Sequence, residues 1–194
     1  MLVIGLTGSI AMGKSEAARI LAAYGLPVFD SDAEVHKLYD SEQGAELIKP
    51  FVPEATTQNR VNREIVTKAV LADKPLLSKL EKEVHAEIRR RREAFIAEEI
   101  SKGAKAVILD IPLLFETGSQ RDVDKSLVIT ASAATQKTRA LARPNMTEER
   151  LKMILERQMP DDQKRSLATA VIENDGTIEE LKTKLIAQMH LWGI

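Results

Sequence analysis

Leu2-Val-Ile-Gly-Leu-Thr7 runs directly into Gly8-Ser-Ile-Ala-Met-Gly-Lys-Ser15, and Lys14–Tyr24 then takes up helical spacing. The first six residues are an apolar run of the length of a buried strand. The next eight match Gly-x-x-x-x-Gly-Lys-Ser at every fixed position, in the strand-before, helix-after setting that a phosphate loop requires. The chemistry asks for these residue types. Glycines let the backbone turn tightly and aim its N–H groups at phosphate oxygens. The following helix N-terminus adds partial positive charge. Lys14 would neutralise the β- and γ-phosphates, and the Ser15 hydroxyl would ligate Mg²⁺. The plainer alternative is a glycine-rich turn that fits by chance, and the flanking elements argue against it. The stretch indicates a nucleoside triphosphate without saying which reaction.

Outward from this loop, Ala106–Asp110 and Ser126–Thr130 read as further buried strands, with Val28–Asp30 and Ala170–Glu173 as weaker ones. Segments of helical period lie between them: Ala33–Tyr39, Arg63–Leu71, Leu76–Lys102, Ala133–Ala142, Thr147–Arg157 and Ile178–Met189. Alternating strands and helices predict an α/β fold, a parallel sheet covered on both faces. From Asp30 to Lys105 no strand is evident, so a helical insertion interrupts the alternation. Leu76, Leu80, Val84 and Ile88 repeat every four residues there and form one apolar stripe. The charged stretch 135–166 reads as a mobile flap. The expectation is a P-loop NTPase three-layer parallel sheet with a helical substrate-binding insertion and a helical lid. The core comprises 1–30, 103–134 and 167–194, the acceptor subdomain 31–102, and the lid 135–166.

Composition narrows the classes. In 194 residues, Lys plus Arg is 28 and Asp plus Glu is 29, so the net charge is −1. A dedicated nucleic-acid binder would show a basic excess. With no cysteine, disulfide scaffolds and thiol nucleophiles are out. No window approaches the apolar length of a membrane span, and the N-terminus lacks the basic region of a secretory signal. A cytoplasmic protein is expected.

A P-loop phosphotransferase needs a carboxylate to orient or deprotonate the acceptor and often another near the metal. Asp30-Ser-Asp32 closes the second strand, and strand C-terminal ends line the ligand crevice of a parallel sheet. One aspartate is expected to cap the following helix and the other to act. Asp110 tips an apolar strand, as either a metal-side carboxylate or a turn residue. Ile111-Pro-Leu-Leu-Phe-Glu116 is unusually apolar for a loop, and reads as a wall for a partly apolar substrate or as buried packing. Arg139 and Arg143 share a helix face, poised either to hold a transferring phosphoryl group or to sit solvated among ion pairs. No histidine pair has zinc spacing. The GTPase signatures Asp-x-x-Gly and Asn-Lys-x-Asp are missing. A small phosphotransferase with a helical acceptor lid fits best. The alternatives are a nucleoside or nucleotide kinase on this fold, and a P-loop module that senses nucleotide without turnover.

The sequence resembles the dephospho-CoA kinase family over nearly its whole length. Ile4-Gly-Leu-Thr-Gly8 and the loop after it are similar to that family's opening, and Asp30-Ser-Asp32 stands at its Asp-x-Asp position. Leu109-Asp-Ile-Pro-Leu-Leu-Phe-Glu116 is close to its most discriminating signature, Leu-Asp-Val-Pro-Leu-Leu-Phe-Glu. Gln136 with Arg139 and Arg143, then Gln158-Met-Pro160, resembles its lid, and Val171-Ile-Glu-Asn174 followed by Gly176 its last strand and turn. The resemblance implies transfer of phosphate from ATP, with Mg²⁺, to the ribose 3′-hydroxyl of dephospho-CoA, the last step of coenzyme A biosynthesis. It implies Asp32 as base, with Lys14 and Arg139 on the developing charge. Nucleotide contacts would be Gly8, Ala11, Met12, Gly13, Lys14, Ser15, Glu16 and Arg143, with Ser15 on the metal. Acceptor contacts would be Asp30, His85, Asp110, Pro112, Leu113, Leu114, Phe115 and Glu116. Ser9, Ala11 and Glu16 depart from the family's usual Gly-Gly-Ile-Gly-x-Gly-Lys-Ser-Thr. Ala86, Pro144 and Thr169 also replace common residues. Ala11 is tolerable in such a loop only at negative φ.

Overall fold

The computed structural model describes residues 1–57 and 59–194. In chain order the strands are β1 (Leu2–Thr7), β2 (Val28–Asp30), β3 (Thr56–Thr57), β4 (Arg60–Val61), β5 (Ala106–Asp110), β6 (Lys125–Thr130) and β7 (Ala170–Glu173). The α-helices are α1 (Lys14–Ala23), α2 (Ser31–Tyr39), α3 (Glu42–Ile48), α4 (Arg63–Ala72), α5 (Lys74–Ser101), α6 (Ala133–Leu141), α7 (Glu148–Leu155), α8 (Asp161–Leu167) and α9 (Ile178–Leu191). Two compact units result: Met1–Phe29 with Glu99–Ile194, and Asp30–Glu98.

The first unit is built on a five-stranded sheet of order β2-β5-β1-β6-β7. β1 is flanked in parallel by β5 (Ile4 beside Ile108) and β6 (Leu6 beside Leu127), and β6 by β7 (Val128 beside Val171). All five residues of β5 are buried, which explains why its sequence is apolar without alternation. Period-two geometry still sorts the strand residues. Leu2, Ile4 and Leu6, with Ala106, Ile108, Leu127 and Ile129, join Ala17, Ile20 and Leu21 of α1 and Leu181, Leu185 and Met189 of α9 in one apolar cluster. Thr177 starts α9 with a reciprocal capping box to Glu180, satisfying backbone donors that a helix start leaves open. With the central strand β1 fixed this way, the loop after it emerges at the C-terminal edge of the sheet.

The second unit is held by a smaller cluster. Leu38, Ile48, Val52, Ala55, Val61, Val66, Leu80 and Val84 are buried together, with Leu76 and Ile88 partly buried against them. The apolar stripe of α5 is therefore a packing face. The expectation of no strand between Asp30 and Lys105 is corrected: Thr56 pairs with Val61 and Thr57 with Arg60, antiparallel. Two residues per strand are too few to show periodicity. α3 and α8 are likewise additions, each seven residues long.

Candidate active site

β1 delivers the loop, and close packing dictates its glycines. A Cβ on Gly8 would lie 2.5 Å from the Ile129 carbonyl oxygen of β6. Gly13 has φ +100, and its Cβ would lie 2.1 Å from Asn174 Nδ2. Neither position tolerates a side chain. Gly13 also precedes α1, where no side chain caps the helix, so the helix's first N–H groups need partners from elsewhere.

Ala11 departs from expectation. It does not take negative φ; it sits at φ +62, in the left-handed region. That conformation costs an L-residue roughly 1–2 kcal/mol, so the surroundings must enforce it. Ile10 N–H donates to Gln158 Oε1 (3.0 Å), and Ile10 C=O accepts from Gln136 Nε2 (2.9 Å). Met12 C=O accepts from Asn174 Nδ2 (3.0 Å). The Ala11 methyl is buried with Ala140 of α6 and Leu151 of α7. Met12 Sδ accepts from Ala131 N–H at 3.0 Å.

At the end of the loop, Lys14 Nζ is ion-paired and hydrogen-bonded to Asp110 Oδ1 at the tip of β5. The lysine side chain is 16% exposed and the carboxylate 4%, so the pair is largely removed from water. Ser15, in the first turn of α1, is exposed. Glu16, in the same turn, is turned to Arg19, whose hydrogen bond holds its carboxyl below the usual range.

The stretch after β5 is placed as follows. Thr7 Oγ1 donates to the Pro112 carbonyl (3.1 Å) and fixes the loop beside β1. Leu114 is fully buried and Phe115 nearly so, while Leu113 is 39% exposed. Leu114 fills the space beneath Gly5. The wall expected from Pro112–Glu116 is thus narrower than the apolar composition suggests, because Leu114 and Phe115 are spent on packing. Glu116 Oε1 accepts from Met159 N–H (2.8 Å) and lies 2.8 Å from Nζ of Lys164, whose side chain is wholly buried.

Arg139 Nη1 donates to the Asn174 carbonyl (2.8 Å), and Arg143 is exposed. Next to that carbonyl, Asp175 takes hydrogen bonds from the hydroxyls of Thr135 and Ser132 and from Ser132 N–H, which lower its pKa to about 2. The 174–175 turn therefore ties α6 to the end of β7. Lys137 pairs with Glu148 at 2.9 Å, bridging α6 and α7.

Three expected residues belong to the second unit. Asp30 Oδ1 accepts from Ala33 N–H (2.9 Å) and so caps α2, which assigns the cap to Asp30. Asp32 is exposed in the first turn of α2, and His85 is exposed on α5. Of the arginine run, Arg91 reaches Glu87 (3.0 Å) and Gln43 (2.8 Å), and Arg90 grips Glu87 through two bonds of 2.9 Å. Arg90 first, with Arg91, pulls the Glu87 carboxyl down to about 2.

Asn174, Gln136 and Gln158 carry the loop's geometry without having been singled out for it. Their trace in the sequence is their place in the lid-like and last-strand motifs that carry the family resemblance, which named them without assigning them a role. Among the described residues no group of three or more His, Cys, Asp or Glu could hold a metal. The Ser15 hydroxyl and Asp110 carboxylate are hard oxygen donors of the type Mg²⁺ takes when phosphates and water supply its other ligands.

Known proteins resemble this chain over most of its length. A family model described as "Dephospho-CoA kinase" matches residues 2–180. A "Dephospho-CoA kinase" of Brucella melitensis is 46% identical over 185 residues, covering 95% of this chain and 92% of its own length. A crystal structure from Thermus thermophilus, TT1252, superposes with TM-score 0.81 at 36% identity, covering 97% of this chain and 96% of that one. A "Dephospho-CoA kinase from Campylobacter jejuni" superposes with TM-score 0.73 at 23% identity, over 97% and 95% of the two chains, and shares the fold.

Proposed function

The chain belongs to the dephospho-CoA kinase family and phosphorylates dephospho-CoA with ATP, and we propose that it does so with the triphosphate on Gly8–Ser15 and Asp32 as the base. The observation that carries this reading is the Lys14–Asp110 pair at the end of the loop. An ammonium held by a carboxylate is a cation ready to exchange that partner for phosphate oxygens. The N–H groups of the loop and of the first turn of α1 supply the remaining anion contacts.

Ser15 and Asp110 would hold Mg²⁺, which when bound neutralises charge on the β- and γ-phosphates. Asp32 accepts the proton of the 3′-hydroxyl. Its place in the first turn of α2, two residues after the capping Asp30, gives it a short and well-defined tether. Lys14 and Arg139 hold the charge of the transferring group, and Arg143 adds a nucleotide contact. Because Arg139 is bonded to the Asn174 carbonyl, this role asks it to change partner, as a residue of a lid over 135–166 would. Asp30, His85, Pro112, Leu113 and Glu116 make up the acceptor side, with Leu113 the apolar side chain left at the surface for it. The setting is cytoplasmic, and no helix among the described residues is long and apolar enough to cross a membrane.

ADP release with dephospho-CoA, with a panel of nucleoside monophosphates and without acceptor tests the reading. Strong stimulation by dephospho-CoA alone is expected. Equal stimulation by a nucleotide would reassign the acceptor, and nucleotide binding without turnover would reduce the protein to a sensor.

A further inference from the structure

Within the loop, Met12 N–H donates to the Ser9 carbonyl (3.2 Å) and closes a turn over Ala11, but the Ala11 Cβ opposes the left-handed conformation that this turn takes. Further restraint comes from outside the loop. The peptide before Ala11 is held at its carbonyl by Gln136 of α6, and the N–H of Ile10 is held by Gln158, between α7 and α8. The methyl itself is enclosed by Ala140 and Leu151. The two glutamines use opposite ends of the same functional group, one donating and one accepting, and add no charge beside a site meant for anions. Gln136 is 8% exposed, so its amide is removed from competing water.

We propose that Gln136 and Gln158 are positioning residues for phosphate binding, which clamp residues 10–12 in the left-handed turn and so couple the α6–α7 helices to nucleotide affinity. Neither touches the reacting atoms. Without the clamp the Ala11 turn relaxes toward negative φ, the loop's N–H groups cease to converge, and only a fraction of molecules is ready for ATP. Apparent affinity falls by that fraction. The inference rests on the reading that ATP occupies Gly8–Ser15.

The test is ATP binding by titration calorimetry together with steady-state kinetics. Gln136→Ala and Gln158→Ala should each weaken ATP binding roughly tenfold, the scale of one lost buried hydrogen bond. The dephospho-CoA KM and the kcat at saturating ATP should move by less than about threefold. Two features separate a clamp from mere packing. Gln158→Glu keeps the acceptor for Ile10 N–H and should leave its amide exchange slower than in Gln158→Ala, whereas Gln136→Glu sets a carboxylate against the Ile10 carbonyl and should lose more ATP affinity than Gln136→Ala. In an Ala11→Gly background the cost of Gln158→Ala should shrink to about threefold or less, because glycine takes positive φ without penalty. If Gln136→Ala melts too low to assay, the Gln158 series with amide exchange of Ile10 N–H decides the matter, faster exchange without nucleotide being expected. Wild-type ATP affinity in the alanine variants, or an undiminished cost in the Ala11→Gly background, overturns the clamp and leaves the kinase reading standing. No ATP binding by the wild type overturns both.

Discussion

The two units hold their candidate residues by different means. In the sheet unit, Lys14 and Asp110 lie at the ends of a buried loop and a fully buried strand, and the loop between is gripped by amides from α6, the α7–α8 connection and the end of β7. In the helical unit, Asp30, Asp32 and His85 are exposed, and local devices such as a helix cap place them. The contrast teaches that the candidate phosphate loop is built into packing, whereas the candidate residues of the helical unit are set by short-range tethers. Changes in the first should cost both stability and activity. Changes in the second should separate the two.

Lys14→Ala should break the comparison most visibly. It removes the contact proposed to the transferring group, expected to cost about 10²–10³ in kcat/KM, and leaves a buried carboxylate without its ammonium, so the melting temperature should fall with the rate. Activity lost with no change in melting would mean that the Lys14–Asp110 pair is not part of the fold's support. Glu116→Ala comes next. It strands the wholly buried Lys164 charge and should destabilise the sheet unit by about 3–5 kcal/mol in denaturant titration. A loss below ~1 kcal/mol would place that pair in contact with water.

Asp30→Ala should be milder. The lost cap costs about 0.5–2 kcal/mol, read as local loosening of α2 in hydrogen exchange, while the sheet unit stays as it was. The smallest effect is acid sensitivity. Glu87 has its pKa lowered to about 2 in the folded chain, so it stabilises the fold above its ordinary range near 4.5. That contribution is lost as pH falls from about 4.5 toward 2. Glu87→Gln should flatten this part of the stability profile, and an unchanged profile would show that the arginine grip is not formed in solution.

The sheet was legible in the sequence because β1, β5 and β6 are apolar runs bounded by turn residues, and even the weaker β2 and β7 stand where they were read. The phosphate loop was legible because Gly8, Gly13, Lys14 and Ser15 stand at fixed spacing between a strand and a helix, although the neighbours that exclude a side chain at Gly8 and Gly13 are the distant Ile129 and Asn174. The helices α3 and α8 were not, since seven residues with Gly44 in one and a buried Lys164 in the other show no apolar face. The left-handed turn at Ala11 was misread for a deeper reason. The groups bonded and packed around it, Gln136, Gln158, Ala140 and Leu151, are all more than a hundred residues away in the chain, and no local pattern encodes that. The roles of Leu114 and Phe115 were undecided for a related reason: an apolar loop looks the same whether it lines a site or fills a core.

The base proposed for the transfer is Asp32, exposed in the first turn of α2. Asp32→Asn addresses this assignment directly, with kcat and the ATP dissociation constant measured on the same preparation. A fall in kcat of roughly 10²–10⁴ with ATP affinity held within about threefold is the expected result. A variant that turns over dephospho-CoA at the wild-type rate, or that loses only its hold on ATP, would contradict it.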